Sequence, residues 1–356
     1  MGPAPGALAA PGISRELAAE GHRVEVVLEP NARHFVGRAA FGDPVRLVDE
    51  PSETPEVALY APATAGSLAR LARGLGGGAV GVRLVLVAPD LDPSSAEHPA
   101  IKENLELLRE SGFRVVAGSG EGMAPAREVV VSLLGGLGGP MSRMRLLVTA
   151  GGTHEPIDSA RFIGNRSSGK MGLAVAREAL RLGAEVTVVA ANLEVEEPGA
   201  ETHRVETVEG LRTEVLKRAE EADALVMAAA VSDFTTASPV PEKMRRGEGA
   251  LSLELAPTAD ILKAIREKYP DLFVVGFAAT HGDPVADARD KLSSKGVNLV
   301  VGNDISRAGI GFGTEENEVY VVGAEGERFV PRASKRAVAR VILESMLEEI
   351  RKERQG

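Results

Sequence analysis

The sequence predicts a two-domain α/β protein, with each domain built on a largely parallel sheet. Three observations carry that reading. Short β-branched runs alternate with stretches of helical periodicity along the chain. With 356 residues, the chain has material for two full hydrophobic cores. A glycine-rich break after Ser132, LLGGLGGPMS, carries neither periodicity and places a boundary near residue 140.

The elements follow in order. RVEVVLE from Arg23, EVALYAPA from Glu56 and RLVLVAP from Arg83 read as strands. AIKENLELLRESG reads as a helix ending at Gly112, and FRVVAG as a short strand after it. Beyond the break, MRLLVTAGG is a strand, followed by the polar, proline-bearing stretch THEPIDSARFIGN. A helix runs from about Gly169 to Leu182, and AEVTVVAAN is the next strand. LRTEVLKRAEEA then reads as a helix and ADALVMAAAVSD as a strand, before an irregular segment carrying EKMRRGEG. LSLEL, a helix from Asp260, the strand DLFVVGFAAT, a helix through DARDKLSSKG and the strand NLVVGND complete the alternation. A charged amphipathic helix from Ser334 closes the chain. The second domain is therefore a doubly wound sheet with one or two inserted hairpins.

Composition narrows the function. A charge of −10 argues against general affinity for nucleic acid or acidic membranes, so any cationic site must be local. Aromatic residues make up only 3%, too few for base-stacking platforms. The chain has no cysteine, which excludes disulfides, cysteine-ligated zinc and thiol catalysis. No apolar run approaches membrane-spanning length and MGPAPGALAAPG does not resemble a secretory signal, so a cytoplasmic location is expected.

GNRSSGKMG, from Gly164, is one residue short of a Walker A loop, with Met171 where a magnesium-binding hydroxyl should stand. The preceding strand ends near Ala150, too far upstream for a phosphate loop. Two readings remain for this helix start. Ser167 or Ser168 caps it in the ordinary way, or Asn165, Arg166, Ser167, Ser168 and Gly169 bind an anion. A dinucleotide fold is the other suspect, but no G-x-G-x-x-G opens directly into a helix after TAGGT. VTVVAAN offers Ala191 and Asn192 where an acid should meet the ribose. GIGFG at Gly309–Gly313 has the spacing without a following helix.

Further on, AAAVSDF puts Ala228, Ala229 and Ala230 at a sheet's carboxyl edge, where small side chains admit a ligand's base or ribose. Asp233 is either a turn residue there or a ligand acceptor. Lys243 with Arg245 and Arg246 is either a solvated charge run or a local cationic site. Lys291 and Lys295 share one helix face. Taken singly, each has a plain surface reading. Taken together, these cations fit one edge of one sheet, and a nucleoside triphosphate needs that many.

TAGGTHEPIDSARFIGNRSSGKMG, AAAVSDF with EKMRR, TADIL, VVGFAAT, and GVNLVVGNDIS with GFGTEENEV, in this order from about Met144, resemble the phosphopantothenate–cysteine ligase half of the bacterial coenzyme A biosynthesis flavoproteins. The resemblance implies a Rossmann-like ligase domain over residues 144–356. It implies activation of the 4′-phosphopantothenate carboxylate by CTP to an acyl-cytidylate, and capture of that intermediate by cysteine. It further implies Mg²⁺ carried with CTP, with the metal ligands unknown, and a homodimer through the ligase domain. By motif, Asn165 corresponds to the family's asparagine acting on the acyl-cytidylate, and Lys243 to its essential lysine. Ala229, Ala230, Asp233, Asp260, Ile261, Phe277, Lys291 and Lys295 correspond to its nucleotide contacts. His154 and Ala259 stand where Arg and Pro are commoner.

PNARHFV, YAPATAGSLARLARG and HPAIKENLELLRESGFRVV resemble the flavin-dependent decarboxylase half of the same family, over residues 1–138, with a linker at 139–143. Here the family's signatures are eroded. Its first strand and phosphate turn are lost or reduced to GPAPGALAAPG. LVDEPSETPE has no histidine, Pro89-Asp90-Leu91-Asp92 stands for PxMN, and the flap cysteine is absent. The expectation is a truncated flavodoxin-like domain without decarboxylase activity and with FMN in doubt. The alternatives are retained FMN-dependent decarboxylation, or a non-catalytic nucleotide-binding scaffold. Expected partners are CTP, 4′-phosphopantothenate and cysteine, with the dimer open to higher assembly.

Overall fold

The computed structural model describes residues 5–29, 32–75, 81–118, 122–244, 252–307 and 313–354. The chain divides into two compact units, Met1–Gly138 and Gly139–Gly356.

In the first unit, α1 (Ala10–Ala19) leads to β1 (Glu25–Val27) and β2 (Arg46–Val48), which pair in parallel as a separate ribbon. β3 (Val57–Ala63), α2 (Ala65–Ala72), β4 (Leu84–Pro89), α3 (Pro93–Glu97), α4 (Pro99–Glu110), β5 (Arg114–Val115) and α5 (Ala126–Leu137) follow. β3, β4 and β5 form a parallel three-stranded sheet. Leu86, Val129 and Val130 are fully buried in its core.

The glycine-rich stretch after Ser132 is helical in its first half. Leu133 to Leu137 are the last turn and a half of α5, and Leu133 and Leu134 are buried. Gly136 is there for contact: a Cβ on it would meet the Leu84 side chain at 2.7 Å and the Arg114 guanidinium at 2.8 Å. Arg83 closes the helix by donating to the Leu137 carbonyl at 2.8 Å. Residues 139–143 are not a free tether either. The Met141 amide donates to the Leu182 carbonyl at 3.0 Å, and the Met141 side chain is in the core of the second unit.

The second unit opens with β6 (Arg145–Gly151), the small hairpin β7 (His154–Pro156) and β8 (Phe162–Gly164), then α6 (Lys170–Arg181). β9 (Glu185–Ala191), β10 (Glu201–Val205), α7 (Val208–Arg218) and β11 (Ala224–Met227) come next. A second hairpin, β12 (Phe234–Thr236) with β13 (Leu255–Pro257), precedes α8 (Ile261–Lys268) and β14 (Phe273–Thr280). α9 (Pro284–Lys295), β15 (Leu299–Asp304), β16 (Glu316–Gly323), β17 (Gly326–Ser334) and α10 (Lys335–Glu353) complete it.

One sheet runs β10-β9-β6-β11-β14-β15-β16-β17. The first six strands are parallel and in doubly wound order, the order reversing between β6 and β11; β16 and β17 extend the edge antiparallel. The central parallel strands bury both faces, as apolar runs such as Leu146-Leu147-Val148 require. α10 packs on α6, and the buried Glu178 carboxylate joins them, 3.2 to 3.5 Å from Arg181, Arg336 and Arg340.

Candidate active site at the switch point

The carboxyl ends of β6 and β11 mark the reversal of strand order, where open α/β sheets bind ligands. β11 stops at Met227, shorter than the sequence suggested, because its amides leave the ladder for side chains. Ala229 N–H donates to the Thr149 hydroxyl at 3.0 Å, and Ser232 N–H donates to the Thr153 hydroxyl at 2.9 Å. Between them, Ala230 N–H donates to the Gly151 carbonyl at 2.8 Å and Thr153 N–H to the Ala230 carbonyl at 3.1 Å. TAGGT and AAAVSD are thus laced together as one floor.

Asn165 joins this floor. Its side-chain amide donates to the Val231 carbonyl at 2.8 Å, leaving its Oδ1 as an exposed acceptor beside residues 229–233. Arg166 is exposed, and Ser167 and Ser168 are half-buried. Neither serine caps α6. Gly169 is the capping residue, with φ of +68°, and the Ser167 hydroxyl accepts from Gly169 N–H instead. The ladder begins with Leu173 N–H to the Gly169 carbonyl, so the first three helix amides stay outside it and the positive helix end is uncapped by a side chain. Lys170 turns away, donating to the Gly313 carbonyl at 3.0 Å and pairing with Glu315. Met171 packs against the core.

Sequence reasoning missed the glycine fingerprint because it is split in the chain. Gly151, at φ of +91°, has the Ala191 carbonyl 1.9 Å from where a Cβ would stand. A Cβ on Gly169 would meet the Leu193 side chain at 2.6 Å, and one on Gly172 would meet Ala150 Cβ at 2.7 Å. These are the tight-turn, close-approach and helix-packing roles of a dinucleotide fold. Here residues 153–168 are inserted between the first glycines and the last two. The signal available in the sequence was G-x-x-G opening a helix, which reads only after the insertion is recognised.

Helix α9 supplies cations beside the carboxyl end of β14. Lys291 donates to the Phe277 carbonyl at 2.6 Å, and Lys295 meets Asp260 at 2.6 Å. Burial of the Lys291 ammonium, reinforced by Lys295, lowers its pKa below the ordinary lysine value, against the pull of Asp233 and Asp260. Burial acts to raise the Asp260 carboxyl, but the Lys295 bond and the Lys263 amide outweigh it and hold it below its ordinary value. Asp260 caps α8 through Lys263 N–H at 3.0 Å. Ile261, by contrast, is 3% exposed with its side chain in the core, so only its main chain is left for a ligand.

Lys243 is exposed on the strap before β13. Arg245, Arg246 and the GIGFG pattern up to its last glycine lie outside the described residues. Among the described residues no group of three or more His, Asp or Glu side chains converges to hold a metal ion. No helix is long and apolar enough to cross a membrane.

A family model described as the DNA/pantothenate metabolism flavoprotein C-terminal domain matches residues 141–350. The chain is 35% identical over 385 aligned residues to the coenzyme A biosynthesis bifunctional protein CoaBC of Mycobacterium tuberculosis, covering 94% of this chain and 92% of the relative. It is 32% identical over 320 residues to the Bacillus subtilis protein of that name, covering 83% and 79%. A crystal structure of the C-terminal domain of a coenzyme A biosynthesis bifunctional protein CoaBC aligns with a TM-score of 0.52 and 31% identity, over 60% of this chain and 98% of that one.

Proposed function

The chain belongs to the coenzyme A biosynthesis bifunctional family, and from that premise we propose that its second unit joins cysteine to 4′-phosphopantothenate at the expense of CTP. The observation that carries this reading is the convergence on one sheet edge of Asn165, residues 229–233, Asp260, Lys291 and Lys295, beside the uncapped start of α6.

A carboxylate is a poor acyl donor, so the reaction takes two steps. The substrate carboxylate oxygen bonds to the α-phosphorus of CTP as the bond to the β-phosphate oxygen breaks, and pyrophosphate leaves. Cysteine's amine then bonds to the acyl carbon, the carbon–oxygen bond to CMP breaks, and the amine's proton goes to solvent. Both steps bring anions together, so positioning and charge offset account for the catalysis. In this reading Lys291 and Lys295 meet the nucleotide alongside Asp233, Asp260 and the main chain at Ala229, Ala230, Ile261 and Phe277. Lys243 faces the charge that develops during activation. Asn165 acts on the acyl-cytidylate, and Arg166 to Gly169 with the α6 amides hold the pantothenate-side anion. Magnesium carried with CTP would offset charge on its phosphates. Phe162, Phe234 and Leu255, 53%, 50% and 44% exposed on two hairpins that pack together, support self-association through this unit.

The first unit, in the same reading, keeps a flavoprotein-like frame without decarboxylation. Asp92 occupies the position of the family's asparagine, and its carboxylate is engaged by Ser94 and Ser95 as the cap of α3. With no cysteine in the chain and no histidine in residues 47–56, the residues present do not fit flavin-dependent decarboxylation.

The test is pyrophosphate release from phosphopantothenate and cysteine with each nucleoside triphosphate in turn, alongside a flavin absorbance spectrum. CTP should support turnover and Lys243→Gln should abolish it. Asn165→Asp should bind CTP normally yet stall the acyl-cytidylate. Turnover without CTP preference, or a first half-reaction intact in Lys243→Gln, sinks these assignments. A yellow protein that releases CO₂ from phosphopantothenoylcysteine sinks the reading of the first unit.

A further inference from the structure

The turn between β7 and β8 does more than link two short strands. Asp158, whose carboxylate is fully buried, accepts from the amides of Ala160 at 2.8 Å and Arg161 at 2.9 Å, and from the Arg161 guanidinium. Hydrogen bonds inside a turn are ordinary. The unusual ones leave it. Asp158 Oδ2 also accepts from Met244 N–H at 3.2 Å, and Arg161 donates to the Met244 carbonyl at 2.9 Å. Four residues earlier the same strap donates back, Val240 N–H to the Ile157 carbonyl at 3.0 Å. The strap is therefore gripped at two points, with Lys243 next to the second. The other end of the hairpin runs directly into Asn165, itself fixed to the Val231 carbonyl.

We propose that Asp158 and Arg161 are positioning residues that hold the main chain at Met244, and so fix Lys243 relative to Asn165. The inference rests on the ligase reading above. It follows from reach: lysine's flexible four-carbon stem lets its ammonium swing, so a fixed main chain at Met244 limits the volume that the Lys243 ammonium can sample. Neither Asp158 nor Arg161 needs to touch substrate in this role.

The experiment uses Asp158→Asn and Arg161→Lys in the full chain. Asp158→Asn keeps the shape and an acceptor but loses the charge, and Arg161→Lys keeps the charge but loses the two-nitrogen grip on the carboxylate. Amide hydrogen exchange should quicken at Met244 by about tenfold in Asp158→Asn, with amides in β6 and β14 unchanged. The kcat for CTP-dependent pyrophosphate release should fall about tenfold with KM for CTP steady, and Arg161→Lys should retain more activity than Asp158→Asn. Unchanged exchange at Met244 in Asp158→Asn overturns the clamp, as does a loss expressed in KM alone. If the unaltered protein released no pyrophosphate with any nucleotide, the ligase reading would have failed. The clamp would then stand or fall on exchange at Met244 alone.

Discussion

Replacing Gly172 by alanine sets two well-calibrated effects against each other. Alanine is the better helix former by about 1 kcal/mol, so helix propensity alone predicts stabilisation. The structure predicts the reverse. A Cβ on Gly172 would lie 2.7 Å from Ala150 Cβ, 2.8 Å from the Thr149 carbonyl oxygen and 3.0 Å from Ala150 Cα. Carbon atoms rest at about 3.5–4.0 Å, so α6 must lift from β6 by roughly 1 Å. Neither obstruction is a rotatable side-chain end, which puts the cost toward the upper part of the overpacking range, about 2–3 kcal/mol. The expected net loss is about 1–2 kcal/mol once propensity is subtracted. Gly210 in α7 is the internal control, since its Cβ would meet nothing nearer than the Thr207 hydroxyl at 3.5 Å. Gly210→Ala should gain up to about 1 kcal/mol. The assay is urea unfolding followed by circular dichroism, the chain having no tryptophan. Both substitutions must move the same transition, in opposite directions and at constant slope. A Gly172→Ala midpoint at or above that of the unaltered protein would refute the close approach of α6 to β6. The split-fingerprint reading would fall with it.

Lys291→Met should lower CTP affinity roughly 10- to 100-fold, the worth of a charge-assisted hydrogen bond, measured by calorimetric titration. Stability should move the other way. A buried lysine with a depressed pKa leaves the folded state binding fewer protons than the unfolded one between its folded pKa and 10.5. The ammonium therefore destabilises the fold below its folded pKa, and this relaxes as pH rises toward 10.5. The methionine variant should gain stability at neutral pH and lose that advantage in alkali; an advantage that grew with pH would reverse the assignment. For Asp158 the sign is opposite. Its carboxyl is lowered from 3.8 to about 2, chiefly by the Arg161 hydrogen bond. That stabilisation is complete above 3.8 and disappears as pH falls toward 2. Asp158→Asn should flatten acid unfolding of the second unit across that window, and an unchanged acid limb would contradict the buried pairing.

Burial made most of the second unit's fold legible. β6, β14 and β15 are covered on both faces, so their apolar runs announce them. The strands that escaped notice owe their existence to pairing with a neighbour. β10, Glu-Thr-His-Arg-Val, lies at the sheet edge, and its fully parallel register with β9 is invisible in a polar sequence. β16 alternates correctly, with Asn317, Val319 and Val321 buried, but one of its inward positions is an asparagine and the run begins with charge. The last five residues of α5 read as a break under a rule that is sound elsewhere. Glycine pairs usually mark breaks, and here one of them lets a helix settle against β4 and the Arg114 guanidinium. The site was legible as residue types and their spacing. Its geometry was not, because Val231, Val240 and Met244 enter through backbone groups that any side chain could have carried.

That distinction bears on GNRSSGKMG. A Walker loop and a dinucleotide turn both need the helix to follow its strand directly, so that phosphate rests on glycine backbone at the helix end. Here residues 153–168 separate Gly151 and Gly152 from Gly169 and Gly172, yet the glycine packing survives on both sides. The insertion has therefore been accommodated without giving up the frame beneath it. What it adds is side chains: Asn165 at the floor of the switch point, and Asp158 with Arg161 bonded to the strap that carries Lys243. A binding turn of bare backbone can hold a phosphate but has no residue with which to discriminate an acyl phosphate from its hydrolysis products. On the ligase reading, that is what the insertion supplies. The double substitution of Asn165 and Lys243 should then cost less than the sum of the singles, because Lys243 serves the formation of the intermediate that Asn165 acts on and the slower of the two steps sets the rate. Strict additivity in single-turnover rates would mean that the hairpin serves two independent sites.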